Sequence, residues 1–276
     1  MTQFIKMNGN GNDFVIIDSR QESNKKFEMT PKLASWIAYR RFGIGCDQII
    51  MLEASNKADV FMRIYNADGS ESGACGNATR CVADLLMNGK SEIAVETRAG
   101  ILVGKRADNN EISVNMGEPS LEWDKIPLSK EVDCLALPIE VNGIKNPTAV
   151  SMGNPHMVFF VPEIGQVDIG KYGPGLENHK LFPERANVTV AEIRSKNHII
   201  SKTWERGVGK TLSCGTAACA TLVAAVVHEL AEPKAVIEQP GGKLTIEWLE
   251  SGEIIMTGKV AKTFTGEFHW DMEFNK

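Results

Sequence analysis

The sequence predicts an α+β fold built from two similar domains related by a pseudo-twofold axis. Three observations predict it. The chain is 276 residues long, which suits two domains of roughly 150 residues each. Short apolar runs bounded by Gly, Asn and Pro outnumber helical patterns along its length. An ordered set of features also recurs at one spacing. Gln48 and Asn187, Asn66 and Glu205, and Cys75 and Cys214 each stand 139 residues apart (187 − 48, 205 − 66, 214 − 75). Gly11-Asn12 before one apolar strand is likewise matched by Gly153-Asn154 before another. Strand–loop–helix units repeat some punctuation by themselves, but three features at one offset favour duplication. Two like domains about such an axis would turn their matched loops toward a shared cleft.

In chain order, residues 6–13 form a turn-rich loop and 14–18 a buried strand. Thr30 can cap a helix that has Pro31 at its first position, with Leu33, Trp36 and Ile37 on one apolar face and Gly43 as its stop. Strands follow at 49–52 and 60–65, the second running into a polar, Gly-rich loop. A helix at 78–87 and strands at 93–97, 101–105 and 112–115 complete the first half, and 116–119 read as its exit. The second half restarts with strands near 139–141 and 149–152, a turn at 153–156 and a strand at 157–161. A helix around 167–179 precedes strands at 188–193 and 199–204, a second Gly-rich loop and an Ala-rich helix at 215–230. Strands at 244–248 and 254–256 follow, and the chain closes in a mixed tail. The domains are therefore expected at 1–118 plus about 263–276, and at 119–262.

Composition narrows the function. A hydrophobic content of 43% with 24% charged residues fits a globular protein. The formal net charge of −5 argues against a nucleic-acid surface. The N-terminal residues carry no apolar stretch of signal-peptide type. The longest apolar run, 217–227, is too short to cross a bilayer. No membrane role is expected, and the cytoplasm is the expected compartment. There the six cysteines would be reduced. No C-x-x-C pair is present, so a metal site is not expected. Cys46, Cys81, Cys134 and Cys219 read as small buried hydrophobes.

Cys75 and Cys214 read differently. Each ends a polar loop and is followed by Gly and an Ala-containing helical segment, in CGNATRC and CGTAACA. A helix N-terminus biases a cysteine toward thiolate and offers N–H donors to an anion. Two such thiols suit inversion of an amino acid's α-carbon, where one base removes the proton from one face and an acid returns one to the other. The N–H groups of Gly76, Asn77, Gly215 and Thr216 could hold the substrate carboxylate. Arg206 offers a planar fork for a second carboxylate, and Asn12, Asn66, Asn154 and Asn187 offer uncharged donors and acceptors. His156 and Glu205 are candidates to hydrogen-bond or deprotonate the thiols. Taken singly, each Asn could be a turn residue and Arg206 a surface ion pair. Their recurrence at matched places is what gives them weight.

The stretches KMNGNGNDF, GIGCDQ, RIYNADGSES, CGNATRC, SMGNPH, ERANV, WERGVGKT and CGTAACA closely resemble the diaminopimelate epimerase family. These are cofactor-independent racemases of bacterial and plant lysine biosynthesis. The resemblance implies two strand-rich, barrel-like sheets, each around a central helix, with the active site in the cleft between them and the C-terminal strand returning to the first domain. It implies interconversion of LL- and meso-2,6-diaminoheptanedioate, a dicarboxylic diamino acid, with Cys75 and Cys214 as the acid/base pair and no cofactor. Asn12, Gln48, Asn66, Asn154, Asn187, Glu205 and Arg206 would line the pocket. Gly76-Asn77 and Gly215-Thr216 would take the reacting carboxylate, and His156 and Glu205 would assist the thiols. The sequence departs from the family's usual pattern at Asn8 (usually His), Ala78 (usually Gly) and Lys210 (usually Glu). The partner expected is this small substrate, with a homodimer possible. A proline-type two-cysteine racemase, a thiol redox or sensing protein, and a non-catalytic amino-acid binder are the alternatives. The first gives Arg206 and the Asn side chains nothing to hold, and the second leaves the amide side chains unexplained.

Overall fold

The computed structural model describes residues 1–269. The chain divides into two compact units, Met1–Val114 with the chain from Lys259, and Asn115–Gly258. Residues 270–276, assigned to the first domain from the sequence, lie outside the described residues.

The first unit opens with the hairpin β1 (Thr2–Gly9) and β2 (Asn12–Asp18). Helix α1 (Pro31–Ala38) then crosses to β3 (Gln48–Glu53), parallel to β2. Its start follows from sequence, since Thr30 accepts from the Leu33 N–H at 3.2 Å ahead of Pro31. Strand β4 (Val60–Asn66) returns antiparallel to β3, and the short β5 (Glu71–Ser72) lies against it. Helix α2 (Gly76–Leu86) crosses to β6 (Glu92–Thr97), parallel to β4, and β7 (Gly100–Arg106) and β8 (Ile112–Asn115) follow antiparallel.

The second unit carries a small hairpin, β9 (Glu140–Val141) and β10 (Ile144–Lys145), before the main sheet. From there its pairing order repeats that of the first. Strands β11 (Thr148–Ser151) and β12 (Pro155–Phe160) are antiparallel, and α3 (Ile169–Glu177) crosses to β13 (Asn187–Ser195), parallel to β12. Strand β14 (His198–Glu205) is antiparallel to β13 and carries the short β15 (Gly209–Lys210). Helix α4 (Gly215–Val227) crosses to β16 (Lys234–Gln239), parallel to β14, followed by the antiparallel β17 (Gly242–Trp248) and β18 (Ile254–Gly258). The final strand, β19 (Ala261–Phe268), runs antiparallel to β1. Composition offered only a mixed tail there, because most of its residues are exposed and no apolar alternation marks them.

The strands of each unit are organised around one buried helix. Helix α2 packs on β1, β6 and β7 and buries every residue from Gly76 to Ala83. Around it lie Met7, Phe14, Ile50, Met62, Ile93 and Val95. Helix α4 packs on strands from β11 to β18 and is apolar on all sides, as a helix enclosed by its own sheet must be. Its small residues let the strands approach closely, while Leu222 and Val223 fill the space toward Ile237 and Leu244. The helix ends at Val227, short of the 230 expected from its composition. Glu229 adopts φ +58, and the Leu230 N–H bonds the Ala225 carbonyl at 2.9 Å. That is a Schellman stop made without glycine, so no sequence signal marks it.

Cys81 and Cys219 are buried in these cores, and Cys46 and Cys134 in two further apolar clusters. Burial pushes the Cys46 thiol up to about 12, with the nearby Lys6 charge opposing. It raises those of Cys81 and Cys134 as well, so these thiols stay protonated. Among the described residues, no helix is long and apolar enough to cross a membrane. Nor do three or more His, Cys, Asp or Glu side chains there group as a metal site would require.

Candidate active site

In each unit the chain brings its polar residues to one end of the sheet, where the strand before the first crossover helix begins and the next two strands meet. Phe14 pairs with Gln48, and Gln48 with Asn66. In the second unit His156 pairs with Asn187. The preceding turns, at Gly11 (φ +81) and Gly153 (φ +84), need glycine because their backbone is left-handed. They deliver Asn12 and Asn154 to that end. The central helices then begin there, with Cys75 and Cys214 at their N-cap positions. An N-cap normally carries a hydroxyl, amide or carboxylate oxygen. Sulfur at that place puts a titratable nucleophile against the positive end of the helix.

In the first unit the amides are held in one orientation by charges behind them. Buried Arg80 donates to Asn77 Oδ1 at 2.7 Å and to the Lys259 carbonyl at 3.0 Å. Asn77 Nδ2 therefore faces outward and donates to Asn12 Oδ1 at 3.3 Å. Asn12 Nδ2 donates to Asp47 at 2.9 Å, and Asp47 is paired with Arg40 at 2.7 Å. Asn12 Oδ1 is thus also the acceptor 3.9 Å from Cys75 Sγ. Asp13 locks the same turn through Arg40 and Lys6. Burial pushes its carboxyl up, but those two cations outweigh burial and bring it down to about 2. Gln48 donates to Asn66 Oδ1 at 2.9 Å, leaving its buried Oε1 without a partner among the described residues. Asn8 accepts from the Gly11 N–H and donates to Thr263, so it braces this turn.

In the second unit a chain of hydrogen bonds ends at sulfur. His156 is fully buried, and burial and the Arg206 charge push its imidazolium down to about 3. The ring is neutral, with Nε2 2.9 Å from Asn154 Oδ1. An amide oxygen only accepts, so Nε2 carries the proton. Asn154 Nδ2 then donates to Thr216 Oγ1 at 3.4 Å, and the Thr216 hydroxyl lies in hydrogen-bond contact with Cys214 Sγ at 3.5 Å. His156 therefore reaches the thiol through two intermediaries, and a ring held so far down is a poor base for it. What it offers is a fixed N–H. Glu205 stands beside Cys214, its carboxylate accepting from the Thr211 hydroxyl. Burial raises the Cys214 pKa well above its ordinary value and the Glu205 charge raises it further, while Thr216 and the Ala217 N–H oppose both. Cys214 is a protonated thiol in this state.

Asn187 Oδ1 accepts the Arg206 N–H at 3.0 Å, and Asn187 Nδ2 donates to the Pro155 carbonyl at 3.1 Å. The Arg206 guanidinium donates to the Glu184 carbonyl. Three residues that hold these ends were not singled out from the sequence: Arg80 in the first unit, and Glu177 and Gln239 in the second. Glu177, nearly buried, accepts from Trp204 Nε1 (2.7 Å), the Gly207 N–H (2.9 Å) and Arg185 (3.0 Å). A buried acid in a Gly/Pro-rich helix carries no motif, although its rarity in the interior is itself a weak signal.

The family model for diaminopimelate epimerase matches residues 4–122 and 148–263. The chain belongs to the diaminopimelate epimerase family. A diaminopimelate epimerase of Rhodospirillum centenum is 47% identical over 269 residues, covering 96% of this chain and 91% of that one. One of Sphingopyxis alaskensis is 48% identical over 268 residues, covering 97% of each. Among solved structures, a phenazine biosynthesis protein of the PhzF family from Bacillus anthracis superposes with a TM-score of 0.70 at 17% identity, over 98% of this chain and 99% of that one. A probable proline racemase from Agrobacterium radiobacter gives 0.69 at 14% identity, over 99% and 94%. At those identities the likeness concerns the two-domain α+β fold. Membership of the family makes this chain an isomerase that acts on a small amino acid.

The neutral His156 has a consequence for stability. Its folded pKa lies below the unfolded value, so below pH about 6.5 the unfolded chain takes a proton that the folded chain refuses. Stability from this residue is complete above that pH and falls by up to about 1.4 kcal/mol per pH unit as the pH drops toward 3. Unfolding in urea at a series of pH values between 6.5 and 4 should show a shallower acid slope for His156→Gln than for the unaltered chain. Equal slopes would contradict the buried, neutral assignment.

Proposed function

We propose that this chain interconverts LL- and meso-2,6-diaminoheptanedioate without a cofactor, with Cys75 and Cys214 as its acid/base pair. The observation that carries this reading is the matched cysteine at the start of each unit's buried helix. In the direction that begins from the Cys214 thiol, Cys75 takes the α-proton as thiolate and Cys214 returns one from the other face. The reverse direction starts with the proton on Cys75. The two titrations belong to the pair. N–H groups of Gly76, Asn77, Gly215 and Thr216 hold the α-carboxylate and stabilise the charge that develops when the proton leaves.

The far end of the substrate carries an ammonium and a second carboxylate. The unpartnered Gln48 Oε1 suits the ammonium, as an acceptor that is costly to leave unmade. Asn12, Asn66, Asn154 and Asn187 line the remainder, and the Arg206 fork suits the second carboxylate. Glu205 assists Cys214 directly and His156 through Thr216. Free thiols acting as acid and base require a reducing compartment, which supports a cytoplasmic location. The reduced chain, given LL-diaminopimelate in deuterium oxide with no additive, should yield the meso isomer labelled at the inverted α-carbon and should leave L-proline unchanged. Inversion of proline with diaminopimelate untouched would replace this reading with a proline-type racemase.

A further inference from the structure

We infer that Gln239 is a positioning residue for Cys214, and that it makes the two thiols chemically unequal. The inference rests on the two-thiol reading above and deepens it. Gln239 is the last residue of β16 and is 5% exposed. Its Oε1 accepts from the Cys214 N–H at 3.1 Å and from the Ser213 hydroxyl at 2.8 Å. Its Nε2 donates to the Cys214 carbonyl at 3.1 Å. A side-chain amide here does what a neighbouring strand would do. It satisfies both backbone groups of one residue and fixes the peptide planes on either side of the thiol-bearing carbon. The residue so held is the N-cap of α4, so the clamp also sets how Sγ meets the first turn of the helix.

The corresponding place in the first unit is built differently. Both hairpins brace their cysteine loops by one backbone bond, from Ala99 N–H to the Gly73 carbonyl at 3.2 Å and from Gly241 N–H to the Leu212 carbonyl at 2.8 Å. The residue that ends β6, however, is Thr97. Its hydroxyl donates to Gly100 and accepts from Ala99 within its own hairpin. The backbone brace is shared, whereas the amide clamp belongs to the second unit. Cys214 is also the more enclosed of the two, being buried where Cys75 is half-buried. An enclosed thiol clamped by Gln239 and a more open one that Gln239 does not touch respond differently to any change in the β16 hairpin.

Alkylation by iodoacetamide, followed by peptide mapping across a pH series, reads each thiol separately and needs no diaminopimelate. Gln239→Leu keeps the side chain's bulk and removes all three bonds. It should slow Cys214 alkylation about tenfold relative to Cys75, with an upward shift of the Cys214 midpoint, and lower kcat with KM little changed. Gln239→Glu keeps both accepted bonds, removes the donated one and adds a charge, so it should raise the Cys214 midpoint while leaving Cys75 alone. It serves should the leucine variant fail to fold. An unchanged ratio of the two alkylation rates in the variant that folds would overturn the inference, as would an equal fall at both thiols. Absence of epimerisation in the unaltered chain would instead count against the proposed reaction and leave the alkylation ratio to judge Gln239.

Discussion

Replacing either cysteine by serine, Cys75→Ser or Cys214→Ser, is expected to lower epimerisation by about 10³-fold or more. A serine hydroxyl occupies nearly the same space but does not ionise near neutral pH, so one face of the α-carbon loses its acid or base. Fold should be kept, because each residue's structural part is played by its backbone. The carbonyls of Cys75 and Cys214 receive the Thr79 and Ala218 N–H groups at 2.9 and 3.1 Å, and serine is itself a good N-cap. Steady-state kinetics beside a thermal melt would separate the two effects. Full activity in either variant would remove the two-base assignment.

The second large effect concerns Glu177. Glu177→Ala leaves Trp204 Nε1, the Gly207 N–H and the Arg185 guanidinium without their shared, buried acceptor. Three partly buried donors orphaned at once, with a vacated buried carboxylate site, should cost about 3 kcal/mol. For a domain of this size that corresponds to a melting point lower by roughly 5–10 °C. The same change frees the turn that carries Glu205 and Arg206, so KM for diaminopimelate should rise more than kcat falls. Glu177→Gln retains acceptance from Trp204 or Gly207 and should lie between. A melting point and KM both within error of the unaltered chain would show that Glu177 holds nothing in place.

Much of this arrangement could be read from local sequence, and the reason is that local signals built it. Gly-Asn before an apolar run marks a left-handed turn feeding a strand, as at Gly11 and Gly153. Cys-Gly before Ala-rich segments marks a helix start, and both cysteines occupy N-caps. The constant 139-residue offset carried the repetition, which the two units express as one order of strand pairing. What escaped lies in contacts between residues far apart in sequence. Arg80 is anchored on the Lys259 carbonyl 179 residues away, Glu177 gathers donors from a turn some 30 residues away, and Gln239 reaches back 25 residues to Cys214. No periodicity encodes such bonds. His156 was legible as a candidate, but its separation from the thiol by Asn154 and Thr216 was not, since hydrogen-bond direction depends on three-dimensional partners. Strand β19 was invisible to composition because its side chains are mostly exposed and its place is set by backbone pairing with β1.

The central claim is that two sulfurs share one carbon, and isotope partition in the first turnover tests it most directly. With LL-diaminopimelate in deuterium oxide, the incoming proton comes from a thiol already equilibrated with solvent, whereas the departing one is held by the other sulfur. The first meso product should therefore be deuterated at the inverted centre while recovered LL substrate still carries protium. Protium retained in that product, or deuterium entering the recovered substrate as fast as it enters the product, would mean that a single base serves both faces.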